Sequence, residues 1–170
     1  DNKMEHGIST TLSAMANSVA NKSATNNLPT YDGKFTRMLQ TQFKKTIQQI
    51  KNADCKILAA CMNPSDISIW YVKLGNIEGL NTEYKHGEYI VQINFPITFP
   101  LHKPKFIFLT PNGVYKIGHS ICMDACRTSD VIELCNVVIS NLVTWVDLAQ
   151  TSEVLQTTTA QKILLAGESI

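Results

Sequence analysis

The sequence predicts an α+β domain, and three observations carry that expectation. Apolar residues recur at helical spacing from Phe35 to Ile50, four runs of β-type residues follow, and helical spacing returns after Asp130. The links between successive β-type runs are short and rich in turn residues, which joins antiparallel neighbours rather than parallel ones. The expected order is an N-terminal helix, a four-stranded antiparallel meander, a long irregular loop and C-terminal helices.

Taken in order, residues 1–30 are rich in Asn, Ser, Thr and Ala, lack aromatics, and cannot form a core alone. Ile8, Leu12, Met15 and Val19 fall at helical spacing, so an extension made of a short docking helix and a linker (21–30) precedes a main domain at 31–170. In the first strong helix Phe35, Met38, Leu39, Phe43, Ile47 and Ile50 form one apolar stripe. Lys34, Arg37, Lys44, Lys45 and Lys51 lie off it, with no acidic residue between Gly33 and Ala53. Solvation alone accounts for such a basic face. Strands are expected at 55–60, 67–74, 88–95 and 105–109, separated by Asn63-Pro64-Ser65, Gly75-Asn76 and His86-Gly87. Beyond them Val131, Leu134, Cys135, Val138, Leu142 and Val146 mark a buried helix, whose start is signalled by Ser129-Asp130 with Glu133 three residues on. A weaker helix is expected at 153–166, and Trp70 and Trp145 read as core.

With 170 residues and 44% hydrophobic content, the chain fits one ordinary domain. A net charge of +1 supplies no global field for nucleic acid or an anionic membrane. The longest apolar stretches, 57–61 and 137–139, fall far short of the roughly 20 residues that span a bilayer. No secretory signal is visible, and a chain that begins at Asp1 is compatible with processing or excision from something longer. Five cysteines, an odd number, point to free thiols in a reducing compartment, cytoplasmic or nuclear. That makes Asn21-Lys22-Ser23 a chance sequon. Without a Cys-x-x-Cys pair or ligand-type histidine spacing, neither a metal nor another cofactor is expected.

Four of the six prolines, Pro96, Pro100, Pro104 and Pro111, lie between Phe95 and Asp124. Pro96 and Pro100 stop the third strand, Pro104 stands where the fourth begins, and Pro111-Asn112-Gly113 reads as a tight turn. The stretch between Leu109 and Asp130 has almost no periodicity, and so long an irregular segment in a compact domain is commonly functional. The prolines therefore read as stiffeners of a surface that presents Asn112 and Cys122.

These residues resemble the ubiquitin-conjugating enzymes. Phe95-Pro96-x-x-Phe99-Pro100-x-x-x-Pro104 is similar to the family's proline-rich segment, Pro111-Asn112 to the end of its His-Pro-Asn tripeptide, and Ile121-Cys122-Met123-Asp124 to the stretch around its catalytic cysteine. Upstream, Asp66-Ile67-Ser68-Ile69-Trp70-Tyr71-Val72 resembles its tryptophan-bearing strand, and Tyr84-Lys85-His86-Gly87-Glu88-Tyr89 its glycine hairpin. The resemblance runs from about Lys34 to Leu142. Thr110-Pro111-Asn112-Gly113 and the ten positions from Asn112 to Cys122 are similar to the tail-anchored, endoplasmic-reticulum class. Val114-Tyr115 stands where that class has Arg-Phe, and the family's Trp-x-Pro after the cysteine is missing from a shortened segment, 123–130. No anchor is visible up to Ile170, so endoplasmic-reticulum association is expected only if one was removed.

The resemblance implies that Cys122 carries ubiquitin or a ubiquitin-like protein as a thioester, received from an activating enzyme and passed to a lysine or a ubiquitin ligase. Sulfur is first nucleophile and then leaving group, so it must be exposed. Asn112 is either the oxyanion donor or a brace for its own loop. Asp124 is the first candidate for orienting the lysine amine, and Asp130 is accounted for by helix capping. The basic helix corresponds to the family's docking element for the activating enzyme, which puts Lys44 and Lys45 on a partner surface. Phe99, Leu101 and His102 occupy the loop where ligases bind, Phe99 as an exposed anchor or as a side chain buried under the loop. Cys126 is either an oxidative trap for Cys122 or an inert thiol. Two rival functions stand beside the conjugating enzyme: a catalytically inactive relative acting as a binding scaffold, and a thiol hydrolase built on Cys122 and His119.

Overall fold

Asp32 starts the first helix: its carboxylate accepts the Phe35 backbone N–H at 2.7 Å and caps α1, Gly33–Ile50. The computed structural model describes residues 28–77 and 87–149, the side chains of 144–149 aside. The expected helix at 8–19, most of its linker, Tyr84 to His86, the side chain of Trp145 and the helix at 153–166 lie outside the described residues. Phe35 and Leu39 are buried along α1 as the apolar stripe requires, with Met38, Phe43 and Ile50 packed against the core. Ile47 is the exception. It is exposed, and Thr46 takes the buried position, its hydroxyl donating to the Gln42 carbonyl at 2.9 Å. The spacing 39, 43, 46, 50 follows the 3.6-residue turn more closely than one passing through 47.

Five strands follow, β1 Ile57–Asn63, β2 Asp66–Leu74, β3 Tyr89–Asn94, β4 Lys105–Phe108 and β5 Ser120–Ile121, forming one antiparallel sheet in chain order. The expected meander is present with one strand more than the pattern announced. Two residues cannot show alternation, so β5 left no periodic trace. The β1–β2 turn is closed by Asn63, whose side-chain oxygen accepts the Ser65 N–H at 2.9 Å. Asn76, at φ 53°, donates its amide to the Cys55 carbonyl at 3.0 Å and ties the end of β2 to the entry of β1.

Alternation sorts the sheet's residues. Trp70, Val72 and Leu74, with Val91, Ile93, Phe106 and Phe108 across the ladders, face α1 and the last described helix, α2, Val131–Ala149. Each such side chain fully buried contributes roughly 1.5–3 kcal/mol. On the opposite face Ala59, Tyr71 and Ile90 form a second apolar cluster, and buried Lys73 pairs with Glu88 at 2.7 Å. In α2 the sides of Val131, Leu134, Cys135, Val138, Ile139 and Leu142 are buried, so Cys135 is core. Asp130 caps this helix through the N–H groups of Ile132 (2.9 Å) and Glu133 (3.2 Å). Glu133 does not close the expected capping box, because its carboxylate takes the Thr128 hydroxyl.

An aromatic chain runs from helix to loop. Phe43 meets Trp70 edge-on at 5.2 Å, Trp70 meets Phe95 at 4.5 Å, and Phe95 meets Phe99 edge-on at 5.0 Å. It anchors the proline segment to the core and so positions the site.

Candidate functional site

β5 delivers the cysteine. Phe106 pairs with Ile121 and Ile107 with Ser120, so the chain leaves the edge of the sheet at Cys122. Met123 then turns into the core at 4% exposure, which fixes the backbone on the far side of an exposed Cys122. The thiol donates to Asp124 Oδ2 at 3.5 Å, and Asp124 Oδ1 accepts the Lys103 backbone N–H at 3.0 Å. That N–H, aided by the thiol contact and by the charges of His102 and Lys105, outweighs desolvation and holds the Asp124 carboxyl below the usual carboxylate range. Asp124 is thus brought to Cys122, as its spacing required.

Phe99 is not an exposed anchor. At 4% exposure it is packed under the proline segment against Phe95, where the backbone turns with the Phe99 N–H bonded to the Pro96 carbonyl at 2.9 Å. The apolar surface of this loop is Leu101 at 78% exposure and Ile97 at 74%. Sequence reasoning missed Ile97; an apolar residue between two prolines, outside any periodic run, was the available signal. Both flank a groove of about 530 Å³ whose walls include Phe35, Met38 and Ser129. His102 is exposed, with Nδ1 2.9 Å from the Thr98 hydroxyl.

Asn112 lies 1% exposed inside its own turn. Its amide donates to the carbonyls of Thr110 (3.2 Å) and Tyr115 (3.0 Å), and its oxygen accepts the N–H groups of Val114 (2.9 Å) and Tyr115. The geometry is that of a brace. Both amide hydrogens are committed to backbone, which takes them from any oxyanion at Cys122. Gly113, at φ 80°, supplies the turn's left-handed residue, and Tyr115 stacks on Phe108 at 5.0 Å to hold the turn on the sheet.

Lys44 is exposed on α1, as a docking surface requires. Lys45 is different: it is ion-paired to Asp130, so it joins α1 to the start of α2. Burial raises the Asp130 carboxyl, but Lys45 and the capping N–H groups outweigh it and hold the group below its ordinary range. His119 is exposed and its Nδ1 faces the Ile117 carbonyl at 3.3 Å; no hydrogen bond joins it to Cys122. Among the five free cysteines only Cys122 is exposed. Burial pushes the Cys61 thiol up to about 11 and Cys135 higher still. Cys126 is half-buried, its N–H bonded to the Met123 carbonyl at 2.9 Å. Among the described residues no group of three or more His, Cys, Asp or Glu side chains is placed to hold a metal, and no helix is long and apolar enough to cross a membrane.

Solved structures with a similar arrangement include ubiquitin conjugating enzymes. A ubiquitin conjugating enzyme of Plasmodium yoelii matches with a TM-score of 0.60 at 16% identity, over 83% of this chain and 97% of that one. H. polymorpha Pex4p, a ubiquitin conjugating enzyme solved in complex with the soluble domain of Pex22p, matches with a TM-score of 0.57 at 13% identity, over 79% and 96%. The chain therefore has the fold of the ubiquitin-conjugating enzymes. In sequence it is 31% identical over 84 residues to the ubiquitin-conjugating enzyme E2 J2-like of Dictyostelium discoideum, 49% of this chain and 48% of that protein. It is 29% identical over 94 residues to the E2-22 kDa ubiquitin-conjugating enzyme of Drosophila melanogaster, 52% of this chain and 45% of that protein. The chain spans about half the length of the curated relatives it matches. No family model matches it.

Proposed function

We propose that the chain is a ubiquitin-conjugating domain in which Cys122 carries ubiquitin or a ubiquitin-like protein as a thioester. The observation that carries this reading is the one exposed thiol, held at the edge of the sheet between a buried methionine and a stiffened loop. In charging, the thiol attacks the thioester of an activating enzyme; a new C–S bond forms, the old one breaks, and the proton passes to the departing thiol. In discharge, a lysine amine or a ligase cysteine attacks the same carbonyl and Cys122 leaves. The exposed cations Lys34, Arg37 and Lys44 on α1, with Lys51 just past its end, form the surface for the activating enzyme, and the groove beside Ile97 and Leu101 takes the ligase. The motif around Asn112 and its distance from Cys122 favour the tail-anchored class, and five free thiols favour a reducing compartment, cytoplasmic or nuclear.

The test mixes protein, activating enzyme, ubiquitin and ATP. A band one ubiquitin heavier, removed by reductant and absent in Cys122→Ala, is expected; charging that survives the substitution rejects Cys122. A second reading, an inactive binding scaffold, is favoured by the inward commitment of Asn112. Under that reading, Cys122 in the native protein resists a small alkylating reagent.

A further inference from the structure

The two faces of the sheet are covered differently. Both described helices send buried side chains into the cluster around Trp70, Val72 and Val91, whereas the cluster on the opposite face is drawn from strand residues and Leu109 alone. That face is nevertheless shut off from solvent. Tyr71 and Ile90 are 1% exposed, and Ala59 and Lys73 6%. They lie in two adjacent cross-strand rows, Ala59 with Lys73 and Ile90, then Cys61 with Tyr71 and Gln92. A lysine on a bare sheet face extends into water, but Lys73 is buried and paired with Glu88 at 2.7 Å. These exposures are those of a single chain, so they call for a cover from the same chain.

Reach decides which part supplies it. The Tyr31 hydroxyl meets Asp66 Oδ1 at 2.8 Å and Ser68 Oγ at 3.0 Å, which fixes the entry to α1 beside the start of β2. From there to Tyr71 and Lys73 is on the order of 10–23 Å along the strand. Residues 20–27, fully extended, span up to about 26 Å. Ahead of them, the stripe of Ile8, Leu12, Met15 and Val19 gives a helix about 18 Å long, enough to cross three strands about 4.8 Å apart. No charged residue lies between Gly7 and Ala20, so this segment can be buried without stranding a charge. By contrast, only residues 150–152 separate α2, on the other side of the sheet, from the helix expected at 153–166, a reach of about 10 Å. Residues 78–86 offer Leu80 and Tyr84 as their large apolar side chains, among Glu78, Glu83 and Lys85.

We propose that the outer face of β1, β2 and β3 is the docking surface for the chain's own N-terminal segment, with Ile8, Leu12, Met15 and Val19 laid over Ala59, Tyr71 and Ile90. Docking closes this face to other proteins and leaves Cys122, at the opposite edge of the sheet, open. It does not depend on the chemistry at Cys122.

Cys61, half-buried against this patch, is the reporter. The experiment treats the full native chain with iodoacetamide and follows each cysteine by mass spectrometry. In the wild type Cys61 should react at least about tenfold more slowly than Cys122. In the double variant Leu12→Asp, Met15→Asp it should react at least about tenfold faster than in the wild type, because each buried apolar side chain is worth about a factor of ten or more in the docking equilibrium. Cys135, in the main core, should stay protected, which shows that the domain is folded. Mild oxidation of Leu12→Cys or Met15→Cys should join the new thiol to Cys61 within one chain. Unchanged Cys61 reactivity in the double variant overturns the proposal, as does wild-type Cys61 reacting as fast as Cys122. Protection of Cys61 that is lost on dilution assigns the cover to a second copy. Exposure of Cys61 in Leu80→Asp or Leu164→Asp, but not in the double variant, assigns it to 78–86 or to the C-terminal segment. Either of these results also overturns the proposal.

Discussion

The proline segment (95–104) and the Asn112 turn lie on either side of β4, and they are held by opposite chemistry. Phe99 anchors the first through hydrocarbon, packed on Phe95 and through it on Trp70. Asn112 anchors the second through polar atoms, with its amide and oxygen both spent on backbone. An apolar anchor leaves the rest of its loop free, which is why Ile97 and Leu101 can stand out in solvent. The polar anchor consumes the one side chain of its loop that carries a reactive-looking group. A residue type suited to catalysis is thereby used for shape.

The largest effect that sharpens this contrast is Phe99→Ala. Loss of a buried aromatic should destabilise the protein by about 3–5 kcal/mol in urea unfolding. Next is Asn112→Ala, which strands buried backbone groups and should cost about 2–3 kcal/mol. In the fraction that remains folded, transfer from Cys122 should be nearly normal. A stable Asn112→Ala protein with a hundredfold slower transfer would break the comparison, because that is the signature of a lost oxyanion donor.

Asp130→Asn keeps a capping oxygen and removes the charge facing Lys45, so about 0.5–1 kcal/mol should be lost at neutral pH. The sign with pH is fixed by the two directions. The Asp130 carboxyl lies below its ordinary value, so its stabilisation is present above the unfolded pKa of about 3.9 and fades as pH falls through the folded one. Lys45 is raised, with Asp130 as the main cause, so its share holds below an unfolded pKa of about 10.4 and is lost as pH rises through the folded value. Urea midpoints of wild type and variant should converge at both extremes. The smallest stability effect belongs to Ile97→Ser and Leu101→Ser, within about 0.5 kcal/mol, as for exposed positions generally. Ligase-stimulated discharge should nevertheless fall in both.

Much of this was legible from residue pattern. Helical spacing through Phe35, Leu39 and Phe43 announced α1, and alternation about Trp70 and Ile93 announced the central strands. β5 was invisible because two residues have no period, although it sets where Cys122 leaves the sheet. Cys122 and Asp124 were legible through the resemblance of Ile121-Cys122-Met123-Asp124 to the family's cysteine motif, and their contact follows because neighbours two apart on a constrained chain remain near each other. Phe99 and Leu101 were not separable, since which of two apolar residues in a proline loop turns inward depends on the local turn. Lys103 gave no signal: its role comes from a backbone N–H, which every residue but proline has.

The central claim is that the sulfur of Cys122 is the atom that bears the modifier. The direct measurement charges the full chain, digests it without reductant, and locates the modifier's C-terminal remnant by mass spectrometry. The account predicts a thiol-labile adduct on Cys122, and in Cys122→Ser an ester at the same position that resists thiol and yields to hydroxide. An adduct on Cys61, Cys126 or a lysine, with Cys122 unmodified, would contradict it.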